Sequence, residues 1–151
     1  MSFRKAATIG ALVFLYFVGG CSTTMVSKEK SNDLFKAHSV WQGTCDQTGY
    51  EPYPMIIFIQ NRNDDAFEGM TWYPTLHNGL ITISGQISPE GIVTFTEDEV
   101  IYGAPTEDRG GVISGGQYTA TLKGKNLKGG YVITLPNGEK DKGNIILKLA
   151  D

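Results

Sequence analysis

The sequence has little of what catalytic and metal sites need. It contains two histidines, His38 and His77, and neither has a cysteine or acidic ligand in useful register beside it, which argues against a zinc site. Gly-x-Ser-x-Gly, His-Glu-x-x-His, Walker and Gly-x-Gly-x-x-Gly patterns are all absent. These absences predict that the protein is not an enzyme and has no catalytic residues, no metal and no cofactor.

Positive charge is also sparse. The chain has 13 lysines and arginines against 16 aspartates and glutamates, which gives a formal net charge of −3. Scattered lysines in an acidic domain give no electrostatic footprint for nucleic acid, and they form no basic cluster that would bind anionic lipid headgroups. We therefore exclude nucleic acid as a partner.

The apolar run near the N-terminus is too short to span a bilayer. Residues 6–18 are apolar, a run of 13 residues, and they follow the basic pair Arg4 and Lys5. A spanning helix needs about 20 residues. A short basic segment, a short apolar run and then small residues are typical of a cleavable signal peptide.

The residues that follow this run, Val18-Gly19-Gly20-Cys21, resemble the lipobox of bacterial lipoproteins, which is an aliphatic residue, two small residues and cysteine. The resemblance implies cleavage before Cys21 and diacylglycerol on its thiol, and two or more acyl chains anchor a protein stably. Ser22 in place of aspartate implies the outer membrane under the enterobacterial sorting rule. We expect a lipid-anchored envelope protein facing the periplasm; an uncleaved N-terminal anchor is the alternative.

The chain divides into three parts on this interpretation. Residues 1–20 form the signal peptide, residues 21–36 form a polar, lipidated tether, and residues 37–151 form one domain. A short helix over residues 31–37 is an open alternative for the end of the tether.

From residue 38 onward, apolar residues alternate with a period of two and no helical stripe occurs. Turn residues such as Asn78-Gly79 and Asn137-Gly138 separate the apolar runs. The predicted strands cover residues 38–45, 54–62, 66–73, 79–87, 91–102, 117–123, 127–134 and 144–149. About eight short strands with short loops predict an all-β fold, a single antiparallel up-and-down β-barrel, because closure removes exposed sheet edges.

A large apolar residue, one spacer and a glycine recur along these strands, at Trp41-Gln42-Gly43, Phe67-Glu68-Gly69, Ile83-Ser84-Gly85, Leu122-Lys123-Gly124 and Leu127-Lys128-Gly129. Residues two apart share a strand face, and alternation of bulky and absent side chains suits the interior of a small barrel. The early Trp-x-Gly followed by meandering strands resembles small lipocalin-like and avidin-like barrels. The further signature residues of those families are missing, so neither family's ligand is carried over.

Two residues inside this pattern could carry chemistry. Cys45 has no partner in its own domain if Cys21 is lipidated, and we interpret it as a small buried hydrophobe, with a reactive thiol as the alternative. Glu97 follows Val93 and Phe95 on one strand face, so a continuous strand would point its carboxylate inward, where it could recognise a ligand or pair with a buried arginine or tyrosine. The favoured interpretation is a bulge or turn at Asp98 that places Glu97 and its acidic neighbours in solvent.

Aromatic residues beside prolines give the main indication of binding. Residues 50–55 and 72–74 lie at strand ends, and tyrosine and tryptophan are common anchors of recognition surfaces. We expect the bulky rings of Trp41 and Phe67 to fill the barrel. We expect Tyr50, Tyr53 and Tyr73 to be exposed. The candidate binding residues are Tyr50, Tyr53, Trp72, Tyr73 and Glu97.

The leading hypothesis is a non-enzymatic envelope lipoprotein that presents barrel loops to a protein or glycan partner. A periplasmic enzyme inhibitor or immunity protein is one alternative. A carrier of a small apolar ligand is another, and a hydrolase is a third. An interior cavity would favour the carrier, whereas a filled barrel would favour binding through loops.

Overall fold

The computed structural model describes residues 32–104 and 111–151. The predictions for the signal peptide, residues 1–20, and for lipidation of Cys21 lie outside the described residues. Within those two ranges, no helix is long and apolar enough to cross a membrane.

Eight antiparallel strands form a closed barrel in which each strand pairs with the next and the last pairs with the first. Their bounds are β1 Val40–Cys45, β2 Tyr53–Asn63, β3 Ala66–Tyr73, β4 Gly79–Ile87, β5 Ile92–Tyr102, β6 Gln117–Lys123, β7 Asn126–Thr134 and β8 Lys140–Leu149. The predicted all-β, up-and-down barrel of about eight strands is confirmed.

The observed strands differ from the predicted ones mainly at the first residues of β1 and β8. β1 begins at Val40 instead of residue 38, because His38 has a φ of 66° and lies in a turn before the strand. β8 begins at Lys140, four residues before the predicted start at residue 144. The added residues are polar or glycine and carry no apolar alternation, yet they pair with β7 as far as Thr134.

Alternate residues of each strand point into the barrel, as in β2, where Met55, Ile57 and Ile59 are all buried. The glycines of the repeated triplets allow close approach of neighbouring strands. A Cβ on Gly43 would lie 2.0 Å from the Ile146 carbonyl oxygen. Gly124 is the exception among these glycines, since it lies in the turn predicted between residues 123 and 127, with a φ of 57°.

The end of the barrel where the chain enters is closed by an aromatic plug. Phe35 is fully buried, and its ring centroid lies 5.4 Å from that of Trp41 and 4.9 Å from that of Phe67. The Arg62 guanidinium donates to the Asn32 carbonyl at 2.7 Å. Residues 32–36, the end of the predicted tether, therefore lie against the barrel, and the expected core positions of Trp41 and Phe67 are confirmed.

Candidate functional site

The opposite end of the barrel is open. Because successive strands run in opposite directions, β1, β3, β5 and β7 all end here, and the described residues of the loops after them lie at this end, away from the aromatic plug. They surround a cavity of about 320 Å³. Its described lining consists of Gln47, Tyr53, Tyr73, Leu76, Ile81, Glu97, Gly111, Val112, Ile113, Tyr118, Tyr131, Ile133, Leu135, Pro136 and Asp141.

A hydrogen-bonded carboxyl group forms the floor of this cavity. Glu97 is 2% exposed, and its Oε1 accepts hydrogen bonds from the Thr71 hydroxyl at 2.7 Å and the Tyr73 hydroxyl at 2.6 Å. The Tyr118 hydroxyl lies 3.1 Å from Oε2 of Glu97 and 2.9 Å from the Tyr73 hydroxyl. Three strands, β3, β5 and β6, thus bring four polar side chains together inside the barrel.

The number of protons in this cluster indicates the charge of Glu97. The carboxyl group, Tyr73 and Tyr118 form a ring of three oxygen–oxygen contacts, and the two phenols supply two protons. A protonated Glu97 supplies the third proton, so that each of the three contacts is a hydrogen bond. An ionised Glu97 supplies none, and one of the three contacts then has lone pairs facing each other. Burial raises the pKa of Glu97, although the hydrogen bonds from Tyr73, Thr71 and Tyr118 oppose that rise. Both arguments favour a neutral acid.

The expectation that Glu97 would lie in solvent is wrong, and the position of the bulge explains why. The register of β5 against β4 shifts after Glu97, so the irregularity includes Asp98 and Glu99. Both of those acids are exposed, and the backbone N–H of Glu99 donates to the Thr82 hydroxyl at 3.0 Å. The bulge predicted at Asp98 is therefore present, but it begins one residue too late to turn Glu97 outward.

The four aromatic candidates separate into two pairs. Tyr50 is 70% exposed in the loop after β1, and Trp72 is 41% exposed on the outer wall. Tyr73 is 3% exposed, so its expected exposure is wrong; strand alternation places it inside with Thr71, two residues earlier. Tyr53 is half-buried, and its ring lies edge-on to Tyr73 with a centroid distance of 5.9 Å.

The cavity therefore brings together Tyr53, Tyr73 and Glu97 from the predicted set, but not Tyr50 and Trp72. Sequence reasoning missed Tyr118 and Tyr131, whose rings lie 5.3 Å apart and also line the cavity. Tyr118 precedes two buried apolar residues at spacings of two and four, which is a signal for an inward position. Its contact with Glu97 depends on the register in which β5 pairs with β6, which the pattern of a single strand does not contain.

Cys45 lies buried below the same end of the barrel. Burial raises the pKa of its thiol to about 11, and the thiol donates weakly to the Asp46 carbonyl at 3.9 Å. A thiol with so high a pKa is protonated at neutral pH and is a poor nucleophile. The predicted burial of Cys45 is confirmed.

Among the residues that the structure describes, the ionisable groups that line the cavity can carry only negative charge at neutral pH. Glu97 lies on the floor, and Asp141 lies nearer the rim, where one of its carboxylate oxygens accepts a hydrogen bond from the Gln47 side chain. The described part of the lining contains no lysine, arginine or histidine. Across residues 32–104 and 111–151, no three histidine, cysteine or acidic side chains are grouped as metal ligands.

A second depression lies next to the exposed Tyr50. It has a volume of about 720 Å³ and is formed by the loop after β1 together with parts of β7 and β8. Its lining includes the polar side chains of Asp46, Thr48, Lys142 and Asn144. This groove is more open than the cavity at the barrel end and has no cluster of buried polar groups among its described lining residues.

The fold and the cavity define a class, namely small antiparallel β-barrels with one closed end and one open end. No protein-family model matches the chain, and no curated protein matches it. Among solved structures, the zebrafish ileal bile acid-binding protein complexed with cholic acid is similar over 78% of this chain and 99% of that chain, at 17% identity and a TM-score of 0.38. Similarity at this level carries no information about what the present chain binds.

Proposed function

We propose that the protein is a non-enzymatic binding barrel that takes up a small organic molecule in the cavity at its open end. The supporting observation is the cavity of about 320 Å³, with apolar walls and a buried carboxyl group on its floor. Ligand pockets usually measure roughly 300–1,000 Å³. The cavity is near the lower limit, so a compact ligand fits better than a long acyl chain.

The polar groups of the cavity are arranged for recognition and not for bond making. Glu97 shares hydrogen bonds with two phenols and a threonine, which fix the orientation of its carboxyl group. The Cys45 thiol is protonated and buried. Few convergent polar groups within apolar walls are the usual composition of a site that orients a ligand.

Filling the cavity tests this proposal. The probe is 2-phenylethanol, a neutral and compact aromatic, titrated calorimetrically into the full-length chain in a non-ionic detergent with a detergent blank. Leu76 lines the cavity, so Leu76→Trp should occupy it and abolish binding. Leu80→Trp is the matched control, because Leu80 is half-buried on β4 and does not line the cavity. Equal loss in both variants, or a wild type that binds neither this probe nor charged analogues of the same shape, would contradict the proposal.

We also propose that lipid on Cys21 holds this barrel to the outer membrane on its periplasmic side. The chain enters the barrel at the closed end through residues 32–36, so the cavity mouth lies at the end opposite to this entry point. Cys21→Ser should release the protein from membranes and leave its precursor uncleaved. A normal cleaved mass in the membrane fraction of that variant would refute the anchor.

A second candidate function is docking of an envelope protein or glycan through the loop after β1. The exposure of Tyr50 favours this function, because its ring lies beside the second depression, which the loop after β1 forms with β7 and β8. An enzyme that reaches the periplasm is one such partner, which would make the protein an inhibitor. Tyr50→Ala should weaken such a complex by about 2 kcal/mol and leave binding in the cavity unchanged. If this variant also lost binding in the cavity, the Tyr50 surface and the cavity would not be separate sites.

A further inference from the structure

The charge of the cavity lining narrows the class of ligand that the proposed site can hold. A charged group inside a protein is costly unless a group of opposite charge or several hydrogen bonds compensate it. The ionisable side chains of the described lining that can be charged near neutral pH are Glu97 and Asp141. An anionic ligand would lie beside carboxyl groups without a counter-ion from that lining, whereas a cationic ligand would find one.

Tyrosine rings add a second attraction for a cation. Tyr53, Tyr73, Tyr118 and Tyr131 all line the cavity. Tyr53 and Tyr73 pack edge-on, whereas Tyr118 is stacked on both Phe95 and Tyr131, so Tyr118 offers its hydroxyl group and not a ring face. The face of an aromatic ring carries negative potential and attracts ammonium groups, most strongly where water is excluded. Phenol oxygens can also accept hydrogen bonds from an ammonium group.

We propose that the cavity selects a small organic cation, an ammonium group that carries a compact apolar or aromatic body. The ammonium group lies at the Glu97 end among the tyrosines, and the apolar body lies against Leu76, Val112 and Ile133. This inference depends on the proposed function, since it names the ligand class of the same cavity.

Binding of such a cation exchanges one proton for one ammonium group. In the empty cavity, the Glu97 proton completes the ring of hydrogen bonds with Tyr73 and Tyr118. An ammonium N–H that donates to Oε2 takes the place of that proton, which leaves to solvent while the carboxylate becomes the counter-ion. The net charge of the cavity therefore does not change.

Glu97 is the group that loses the proton in this exchange. Thr71 and Tyr73 face it from β3 and Tyr118 faces it from β6, while its pairing neighbour on β4 is the apolar Ile83. Burial raises the pKa of both tyrosines well above the ordinary value, and it also raises the pKa of the more distant Cys45. These groups stay neutral in the range in which Glu97 titrates.

Three probes of matched shape test the inference on the full-length wild-type chain. Phenethylamine carries a positive charge at neutral pH, 2-phenylethanol is neutral and phenylacetate is negative. We expect phenethylamine to bind at least about tenfold more tightly than 2-phenylethanol, because a charge-assisted hydrogen bond replaces a neutral one. Phenylacetate should not bind measurably. The heat of phenethylamine binding should also vary with the ionisation enthalpy of the buffer, as release of a proton requires.

The Glu97→Gln variant tests the role of the carboxyl group, because an amide keeps the shape and hydrogen bonds of a neutral acid but cannot ionise. The ratio of phenethylamine to 2-phenylethanol affinity should fall to about one, and proton release should disappear. Glu99→Gln is the matched control, since Glu99 is exposed on the other side of the bulge, and its ratio should equal that of the wild type.

The outcomes separate the two proposals. If the wild type binds the amine and the alcohol equally well, or prefers phenylacetate, the cation inference is overturned while the binding barrel stands. If none of the three probes binds, both are overturned. Should Glu97→Gln fail to fold, the comparison of the three probes on the wild type still decides the ligand class.

Discussion

The two ends of the barrel are built on opposite principles. At the closed end, the buried rings of Phe35, Trp41 and Phe67 pack against one another. At the open end, Glu97 and Tyr118 are just as deeply buried, but there a hydrogen bond joins their polar atoms in addition to ring packing. Apolar packing stabilises a fold without demanding exact partners, whereas buried polar groups stabilise nothing unless each one is satisfied.

This difference teaches where stability and function lie in the molecule. A barrel that needed only to fold could fill both ends with apolar side chains, because such replacements of buried polar groups are often neutral or stabilising. The polar cluster beside a cavity is therefore a feature that folding does not require. Sites that depart from the packing rules of the rest of a protein are commonly functional.

The largest expected effect is at the closed end. Trp41→Ala should lower the free energy of unfolding by about 3–5 kcal/mol, because it removes a fully buried ring from the plug. Urea unfolding followed by circular dichroism measures it. Trp72→Ala is the matched control on the outer wall and should cost much less, since that ring is partly exposed. A loss below about half a kcal/mol for Trp41→Ala would mean that the plug is not packed as described.

Phe35→Ala tests whether the segment before β1 is part of the same packing unit. The ring is fully buried between Trp41 and Phe67, so its removal should also cost about 3–5 kcal/mol in the same experiment. Leu34→Ala, at a neighbouring and only partly buried position, should cost less. If both variants unfold like the wild type, residues 32–36 behave as a tether and the closed end is closed by the barrel alone.

The amino-acid sequence predicts the barrel well because its signals are local. The bounds of β3, β4 and β6 agree with those expected from apolar alternation and turn residues, as at Asn78-Gly79 before β4. The polar start of β8 is different. Its residues have no apolar alternation, and only the neighbouring β7 makes them a strand.

The two ends of the barrel were harder to predict, because each depends on contacts between distant parts of the chain. Phe35 lies in a polar segment, and its burial follows from where the segment crosses the barrel end. The orientation of Glu97 depends on the residue at which the bulge begins, which pairing with β4 decides. Tyr118 meets Glu97 only through the register of β5 and β6. Single-strand patterns contain none of this information.

At the open end, the expected effect of a small change is intermediate. Tyr118→Phe removes one hydroxyl and leaves Oε2 of Glu97 without that partner, which should cost about 1–3 kcal/mol of unfolding free energy. Tyr102→Phe is the matched control on an exposed residue of β5, and it should change stability by less than about 0.5 kcal/mol. Equal effects of the two substitutions would show that the polar cluster contributes no more than a surface hydroxyl.

The smallest expected effect is a dependence of stability on pH that belongs to the open end alone. Burial raises the pKa of Glu97 above its ordinary value of 4.5. Between the ordinary pKa and the raised pKa, the folded protein therefore holds a proton that the unfolded chain has lost. The stability from this group is full below the ordinary value and declines as pH rises through the folded pKa. The decline has a slope of at most about 1.4 kcal/mol per pH unit.

Comparison with Glu97→Gln isolates this contribution, because glutamine does not titrate and the other acidic residues are common to both proteins. Urea unfolding from about pH 4 to pH 8 should show the wild type losing stability relative to the variant as pH rises. Glu99→Gln, at an exposed position, should show no such difference. A flat difference between wild type and Glu97→Gln across this range would mean that Glu97 does not hold the proton that completes its ring with Tyr73 and Tyr118. The plug at the closed end, formed by Phe35, Trp41 and Phe67, contains no ionisable side chain.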